Sequence, residues 1–553
     1  MTRRHPLFLF LLVLISCAPV ATPPSVAPAL SPQLTATATA QRVVVMSFDG
    51  LGADALARQT GLSAFEGLAR DGTSARVIPV NPTLTAVTHM SMLTGTHAKK
   101  HGIVSNRFHI AGTPPEQTAH GIMTEPDVET LVEAARRQGK RVGTVPFPNV
   151  DARSPRRTAD FGLVWTTSLT QGKLVKLTRA EFRREWVPPG WTARPQRRTS
   201  FSPIMRARME WSISRQIRAD VDVVAYDTTD DRTDNYDVYA VESDDRELGI
   251  DARGWFAIVK EQHGSWSKIL AADPSLGVTI YWGPISRTNA YPESYRSMLD
   301  AEVGFWPGEP DDEADIDAQT FAEQMERLAD FLMRAQTLTI RRMEFDLLLA
   351  YQPIVDEAMH NFLGYDDGVI RRAFAAADRA LGAVGAELDA NRDALVVTGD
   401  HGLVPIERQV RLGRWLIDHG FAPRWRVFVA NHVAHFYRFD GADDSDALAS
   451  ALAATGHFER VEKKSAAFHR HSGDVVAVSY PPIALSPSND APVVDEPGSH
   501  GHHGALNTHR ELHTVLLAGG TGVPRGNVGE VSQTKIARFV AELLGIAPPG
   551  AAE

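Results

Sequence analysis

Short apolar runs alternate with amphipathic stretches along most of this chain. The first strand signal, Arg42-Val43-Val44-Val45-Met46-Ser47-Phe48, stops at Asp49-Gly50. A continuous apolar run with a polar stop predicts a buried strand whose C-terminal end carries a functional group. Further strands are predicted at 75–80, 142–146, 345–351, 394–398 and 513–518. Helices are predicted at 64–71, 128–138, 369–388 and 535–544, and another starts near Thr85 and runs to Leu93. Strands alternating with helices predict an α/β fold, with a mostly parallel central sheet covered by helices on both faces. Residues 163–340 break this rhythm with alternating aromatic runs at 221–226, 237–241 and 279–282, the mark of an inserted, β-rich subdomain. The acidic tract 227–247 inside it lacks the spacing of an EF-hand and reads as a solvated loop. A second irregular stretch, 424–492, reads as a small cap, and no internal repeat is found.

Composition changes this picture little. The chain has 553 residues, 43% of them hydrophobic, which is enough for one large domain with an insertion. A formal net charge of -10 argues against a nucleic-acid-coating protein, which would be basic, but leaves a small nucleotide open as substrate. The N-terminus changes it more. Arg3 and Arg4 precede the apolar run 7–15, too short to span a bilayer and suited to the core of a signal peptide. The run ends at Leu14-Ile15-Ser16-Cys17, which resembles the lipobox of bacterial lipoproteins. Cys17 is the chain's single cysteine, so no intramolecular disulfide can form. The expectation is a lipoprotein signal peptide at 1–17 and a Pro/Ala/Thr-rich tether at 18–41, followed by a catalytic domain at 42–545. The protein is then exported and lipid-anchored to the bacterial cell envelope, facing the periplasm or exterior.

Five short segments carry the candidate chemistry: Ser47-Phe48-Asp49-Gly50, Pro82-Thr83-Leu84-Thr85, Asp356-Glu357-Ala358-Met359-His360, Gly399-Asp400-His401-Gly402 and Gly501-His502-His503-Gly504. They supply hydroxyl and carboxylate oxygen and imidazole nitrogen, a donor set that suits Zn²⁺ and related divalent ions. A spacing of four puts Asp356 and His360 on one helical face. Asp49 and Asp400 follow predicted strands, where open α/β sheets place their sites. Each segment alone has a structural explanation: a surface pair, a turn, a surface loop or, for Thr83 and Thr85, a helix cap. Their joint occurrence, in this order, shifts the balance.

Together the segments resemble the type I phosphodiesterase/nucleotide pyrophosphatase family of the alkaline phosphatase superfamily, over roughly 42–150 and 340–545. The most characteristic stretch is Asn81-Pro82-Thr83-Leu84-Thr85, then His89, Leu93-Thr94-Gly95 and His101-Gly102-Ile103-Val104-Ser105-Asn106. The resemblance implies an alkaline phosphatase-like fold, Thr85 as nucleophile and Asn106 as a donor to the phosphoryl oxygens. It implies two Zn²⁺, or other divalent ions. Asp49, Asp400 and His401 hold one, which also binds Thr85; Asp356, His360 and a C-terminal histidine hold the other. Both His500 and His503 precede a glycine, and His503 fits the family's distance to the apolar strand at 516–518. The implied reaction is in-line hydrolysis of a phosphodiester or pyrophosphate bond through a phosphoryl-threonine.

The type of ester is less constrained. Monoesterases of this superfamily neutralise the extra charge of a terminal phosphate, and no Lys-Asp-Arg-type motif follows Val142. Phe147-Pro148-Asn149 stands there instead, similar to the Trp-Pro-Gly region of nucleotide pyrophosphatases. Arg153, Arg156 and Arg157 nearby are either a solvated basic loop or compensating charges. Phe108 and Phe147 are either core residues or seats for a leaving group. An alkaline phosphomonoesterase and a phosphonate hydrolase stay open as alternatives. A sulfatase does not, lacking the Cys/Ser-x-Pro-x-Arg pattern. A serine-dependent phosphoglycerate mutase conflicts with the threonine and the export signal. In another class, a non-catalytic zinc-binding surface lipoprotein predicts loss of Thr85 or a ligand, and neither is missing.

Overall fold

The structure is a computed structural model, described over residues 34–114, 117–185, 198–244, 246–310 and 316–553. The expected signal peptide, Cys17 and most of the tether lie outside the described residues. No helix among the described residues is long and apolar enough to cross a membrane.

A nine-stranded sheet forms the centre. Its strands are β1 (Arg42–Phe48), β2 (Thr73–Ile78), β3 (Val142–Val145), β4 (Phe161–Leu163), β5 (Ala290–Tyr291), β6 (Leu347–Gln352), β7 (Asp393–Gly399), β8 (Thr514–Gly520) and β9 (Gly526–Ser532). In space they run β5-β4-β3-β6-β1-β7-β8-β2-β9. Strand β1 lies between β6 and β7, parallel to both. Strand β8 is reversed, antiparallel to β7 and β2, and the edge strand β5 is antiparallel to β4.

Helices cover both faces. Val44, Met46 and Phe48 of β1 point into one core, with α2 (Ala318–Arg342) and α4 (Asp367–Ala386). Val43 and Val45 point into the other, against α5 (Lys535–Leu544). Successive strand residues face opposite ways, so a strand covered on both faces is apolar at nearly every position. This is why the apolar runs were readable.

The stretch expected as an insertion holds two different things. Residues 173–287 form two sheets of five strands each, packed around Trp211, Phe256, Ile258 and Ile280. The chain then returns to the main domain, and Phe321, Leu328 and Leu332 of α2 enter the main core. Within the acidic tract, residues 228–234 are exposed. Residues 425–479 form a four-stranded sheet with the helix Ser445–Ala454, beside the main domain.

Candidate active site

The C-terminal ends of β1, β6 and β7 lie side by side, and each leads directly into candidate site residues. Asp49 follows β1. Asp400 and His401 follow β7. Strand β6 leads through Pro353 into α3 (Ile354–Phe362), whose first and second turns carry Asp356 and His360. Gly50 lets these elements approach. Its φ is +68°, and a β-carbon there would stand 2.7 Å from the Asp356 α-carbon. Only glycine tolerates both conditions without strain.

Thr85 is the first residue of α1 (Thr85–Thr94). Its hydroxyl lies 3.3 Å from His401 Nε2. That nitrogen stands 3.0 Å from Asp400 Oδ2 and 3.5 Å from Asp49 Oδ1. His503 is buried, and its ring stacks on His401 with centroids 3.7 Å apart. His503 Nδ1 donates to the Thr83 carbonyl at 2.9 Å, and His360 Nδ1 donates to the Gly501 carbonyl at 2.7 Å. Both bonds leave Nε2 free to act as a ligand. His360 Nε2 lies 3.3 Å from Asp356 Oδ2. His500 is exposed and stacks on Tyr365 instead. Asn106 Oδ1 accepts the Ala86 N–H at 2.9 Å, which fixes the orientation of its amide and leaves the NH₂ donors for another partner.

Two donor clusters result: Asp49, Asp400 and His401, and Asp356, His401 and His503. In each, ligand atoms of all three residues lie within 4.8 Å of one another. His401 belongs to both, and His360 stands beside the second. The electrostatics call for cations. Asp49, Asp356 and Asp400 are buried, and their ion pairs are all with histidines. Asp49 Oδ1, Asp356 Oδ1 and Asp400 Oδ2 are buried with no hydrogen-bond partner. Buried carboxylate oxygens without partners are costly. Burial, then repulsion from Asp400 and Asp356, pushes the Asp49 carboxyl well above the usual carboxylate range. Burial opposes a charge on His360, but the Asp356 carboxylate prevails and raises it to about 9. The donor set fits divalent ions, and one bound at each cluster would relieve both stresses.

The site has supports that the motifs did not reveal. The Tyr351 hydroxyl donates to Asp49 Oδ2. Gln533 Nε2 donates to the Asp400 carbonyl at 2.7 Å, while its Oε1 accepts the Val80 N–H at 3.1 Å. His89, quoted in the motif without a role, lies under Thr85 and Asp400. The one signal for Tyr351 is a polar group at the end of a buried strand; nothing marks Gln533. The nearby arginines are engaged elsewhere. Arg157 is buried against Asp151 and the Met123 and Ile122 carbonyls, Arg153 pairs with Asp151, and Arg156 lies 3.7 Å from Glu133. Phe108 is buried against His471, and Phe147 against His89.

Fold and site together define an α/β enzyme whose sheet carries, at its C-terminal edge, clustered residues that could hold metal ions. The family model for type I phosphodiesterase / nucleotide pyrophosphatase matches residues 43–244 and 219–506, and the chain belongs to that family. A search of curated proteins finds no match. Among solved structures, murine ectonucleotide pyrophosphatase/phosphodiesterase 5 is similar at 15% identity and a TM-score of 0.53, covering 92% of this chain and 96% of that one. Its inactive threonine-to-alanine form in complex with AMP gives 14% and 0.53, with the same coverage. Phosphonoacetate hydrolase from Sinorhizobium meliloti, in complex with phosphonoformate, gives 15% and 0.50, again over 92% and 96%. At these identities the structural likeness shows the fold.

Proposed function

We propose that the protein hydrolyses phosphodiester or pyrophosphate bonds of a small phosphate ester or nucleotide, with Thr85 as nucleophile and two zinc ions as cofactors. The observation that carries this reading is the Thr85 hydroxyl at the edge of a buried cluster of acids and imidazoles with unpartnered oxygens. Asp49, Asp400 and His401 would hold one ion beside Thr85; Asp356, His360 and His503 would hold the other, with His401 between them. When bound, such a pair supplies positive charge that acidifies a hydroxyl and stabilises the oxygens entering and leaving phosphorus.

The chain's own groups do the rest. The Thr85 oxygen forms a bond to phosphorus as the bond to the leaving oxygen breaks. Water then attacks phosphorus, breaks the Thr85–phosphorus bond and restores the hydroxyl. The Thr85 backbone N–H at the start of α1 and the Asn106 NH₂ offer donors to the anion. The relative whose threonine-to-alanine form is inactive, and holds AMP, supports both the nucleophile and the substrate class. A preference for diesters is supported by the arginines at 153, 156 and 157, each tied to an acid or a carbonyl. The phosphonoacetate hydrolase likeness makes a phosphonate the second reading.

Turnover of bis-p-nitrophenyl phosphate, a thymidine monophosphate p-nitrophenyl ester, p-nitrophenyl phosphate and phosphonoacetate, with and without chelator, tests the proposal. The diesters should be preferred. Preference for the monoester or the phosphonate replaces the diester reading, and no turnover of any of them with metal present favours a binding protein. We also infer export and lipid attachment at Cys17. Labelling with a radioactive fatty acid should mark the wild type and not Cys17→Ala; equal labelling refutes the anchor.

A further inference from the structure

The cap residue of helix α1, Leu84, supplies no side-chain hydrogen bond, and Asn106 Oδ1 takes the Ala86 N–H from outside the helix. The Thr85 carbonyl has a separate tie, to His89. His89 lies one turn after Thr85 and is fully buried. Its Nδ1 donates to the Thr85 carbonyl at 2.9 Å, and its Nε2 lies 2.9 Å from Ser47 Oγ. Ser47 is in β1, two residues before Asp49, and is also fully buried. A carbonyl can only accept, so Nδ1 carries the proton; in the neutral ring, Nε2 then accepts from the Ser47 hydroxyl. Nδ1 also stands 3.6 Å from Asp400 Oδ2. Phe147 and Tyr351 meet the ring edge-on, with centroids at 5.3 and 5.6 Å, and hold its plane.

We propose that His89 is a positioning residue that ties the first turn of α1 to β1 and so holds the Thr85 hydroxyl against the Asp49–Asp400–His401 cluster. The inference rests on Thr85 being the nucleophile. The imidazole touches neither the substrate nor the reacting oxygen. It acts through the Thr85 backbone, and Ser47 sets its orientation from the strand that also presents Asp49. A nucleophile displaced by about 1 Å loses on the order of 10²-fold in rate. Loss of this anchor should therefore lower kcat and leave substrate binding nearly intact.

The test compares His89→Ala, His89→Asn and Ser47→Ala with the wild type. Asparagine retains a donor near the Nδ1 position; alanine does not. His89→Ala should lower kcat on a diester by about 10²-fold, with KM changed by less than about twofold and metal content unchanged. His89→Asn should recover most of that loss, and Ser47→Ala should show a smaller one. Amide hydrogen exchange gives a readout independent of turnover. In metal-stripped protein, a peptide covering 85–94 should exchange faster in His89→Ala and regain protection in His89→Asn. Loss of metal, a rise in KM at constant kcat, or an asparagine variant no better than alanine overturns the positioning role. Thr85→Ala, run alongside, keeps the two readings apart: if it is active, the nucleophile assignment fails, whereas the exchange result still reports on the anchor.

Discussion

Buried acids in two regions of this molecule are satisfied in opposite ways. In the strand-rich subdomain, Asp222 accepts from Arg208 at 2.9 Å and Glu242 from Arg206 at 2.5 Å. Where that subdomain meets α2, Glu323 lies 3.0 Å from the Lys268 ammonium and accepts from Trp255 Nε1 at 2.6 Å. At the C-terminal edge of the main sheet, Asp49, Asp356 and Asp400 are comparably buried, but their charged partners are imidazoles only, and each keeps an oxygen without a hydrogen bond. The first arrangement is complete within the chain. The second is what the proposed metal ions would complete.

The strongest challenge to this contrast is removal of metal. Chelation should abolish turnover, and Zn²⁺ should restore it with two ions per chain by metal analysis; full activity in protein shown to be metal-free would erase the distinction. Thr85→Ala should reduce turnover by at least roughly 10³-fold while metal content stays at the wild-type level. In the completed region the effect should move from activity to stability. Lys268→Met leaves the Glu323 carboxylate buried beside a neutral side chain. It should cost about 3 kcal/mol in urea unfolding, with turnover per folded molecule unchanged. The smallest effect has the opposite sign. In metal-stripped protein, Asp49→Asn should raise stability at pH 7 by about 1 kcal/mol or more. Its carboxyl is pushed up by burial and by its neighbours, so the fold disfavours the charged form. That penalty is absent at acid pH, where both states are protonated, and grows as pH rises through the ordinary carboxylate range. The gain should therefore vanish near pH 3, and a thermal unfolding series shows whether it does.

Much of this was legible in the sequence because two demands coincide in the same residues. Strands β1, β6 and β7 are covered on both faces, so they read as apolar runs, and chemistry placed at their ends stands out as Asp49, Asp400 and His401 against that background. Other features have no local signature. The reversal of β8 is invisible, because an apolar run carries no direction. Helix α2 was absorbed into the insertion, although its apolar side belongs to the main core, because the irregular chain before it hid the return. The Ser47–His89 bond and the Tyr351–Asp49 bond join residues far apart in sequence, and a serine or tyrosine in a strand is ordinary until its partner is known. For the C-terminal histidine, both His500 and His503 precede a glycine, and only the distance to the strand at 516–518 favoured His503; in the structure His500 lies on the surface and His503 in the cluster.

The donors that converge here lie far apart along the chain, from Asp49 after the first strand to His503 just before β8. A chain made only as far as residue 500 cannot assemble this centre, since β8, β9 and His503 do not yet exist. Activity is therefore a property of the finished molecule alone. A single proteolytic cut that releases the segment from His503 through β9 and α5 would remove a donor and three structural elements at once, and silence the rest.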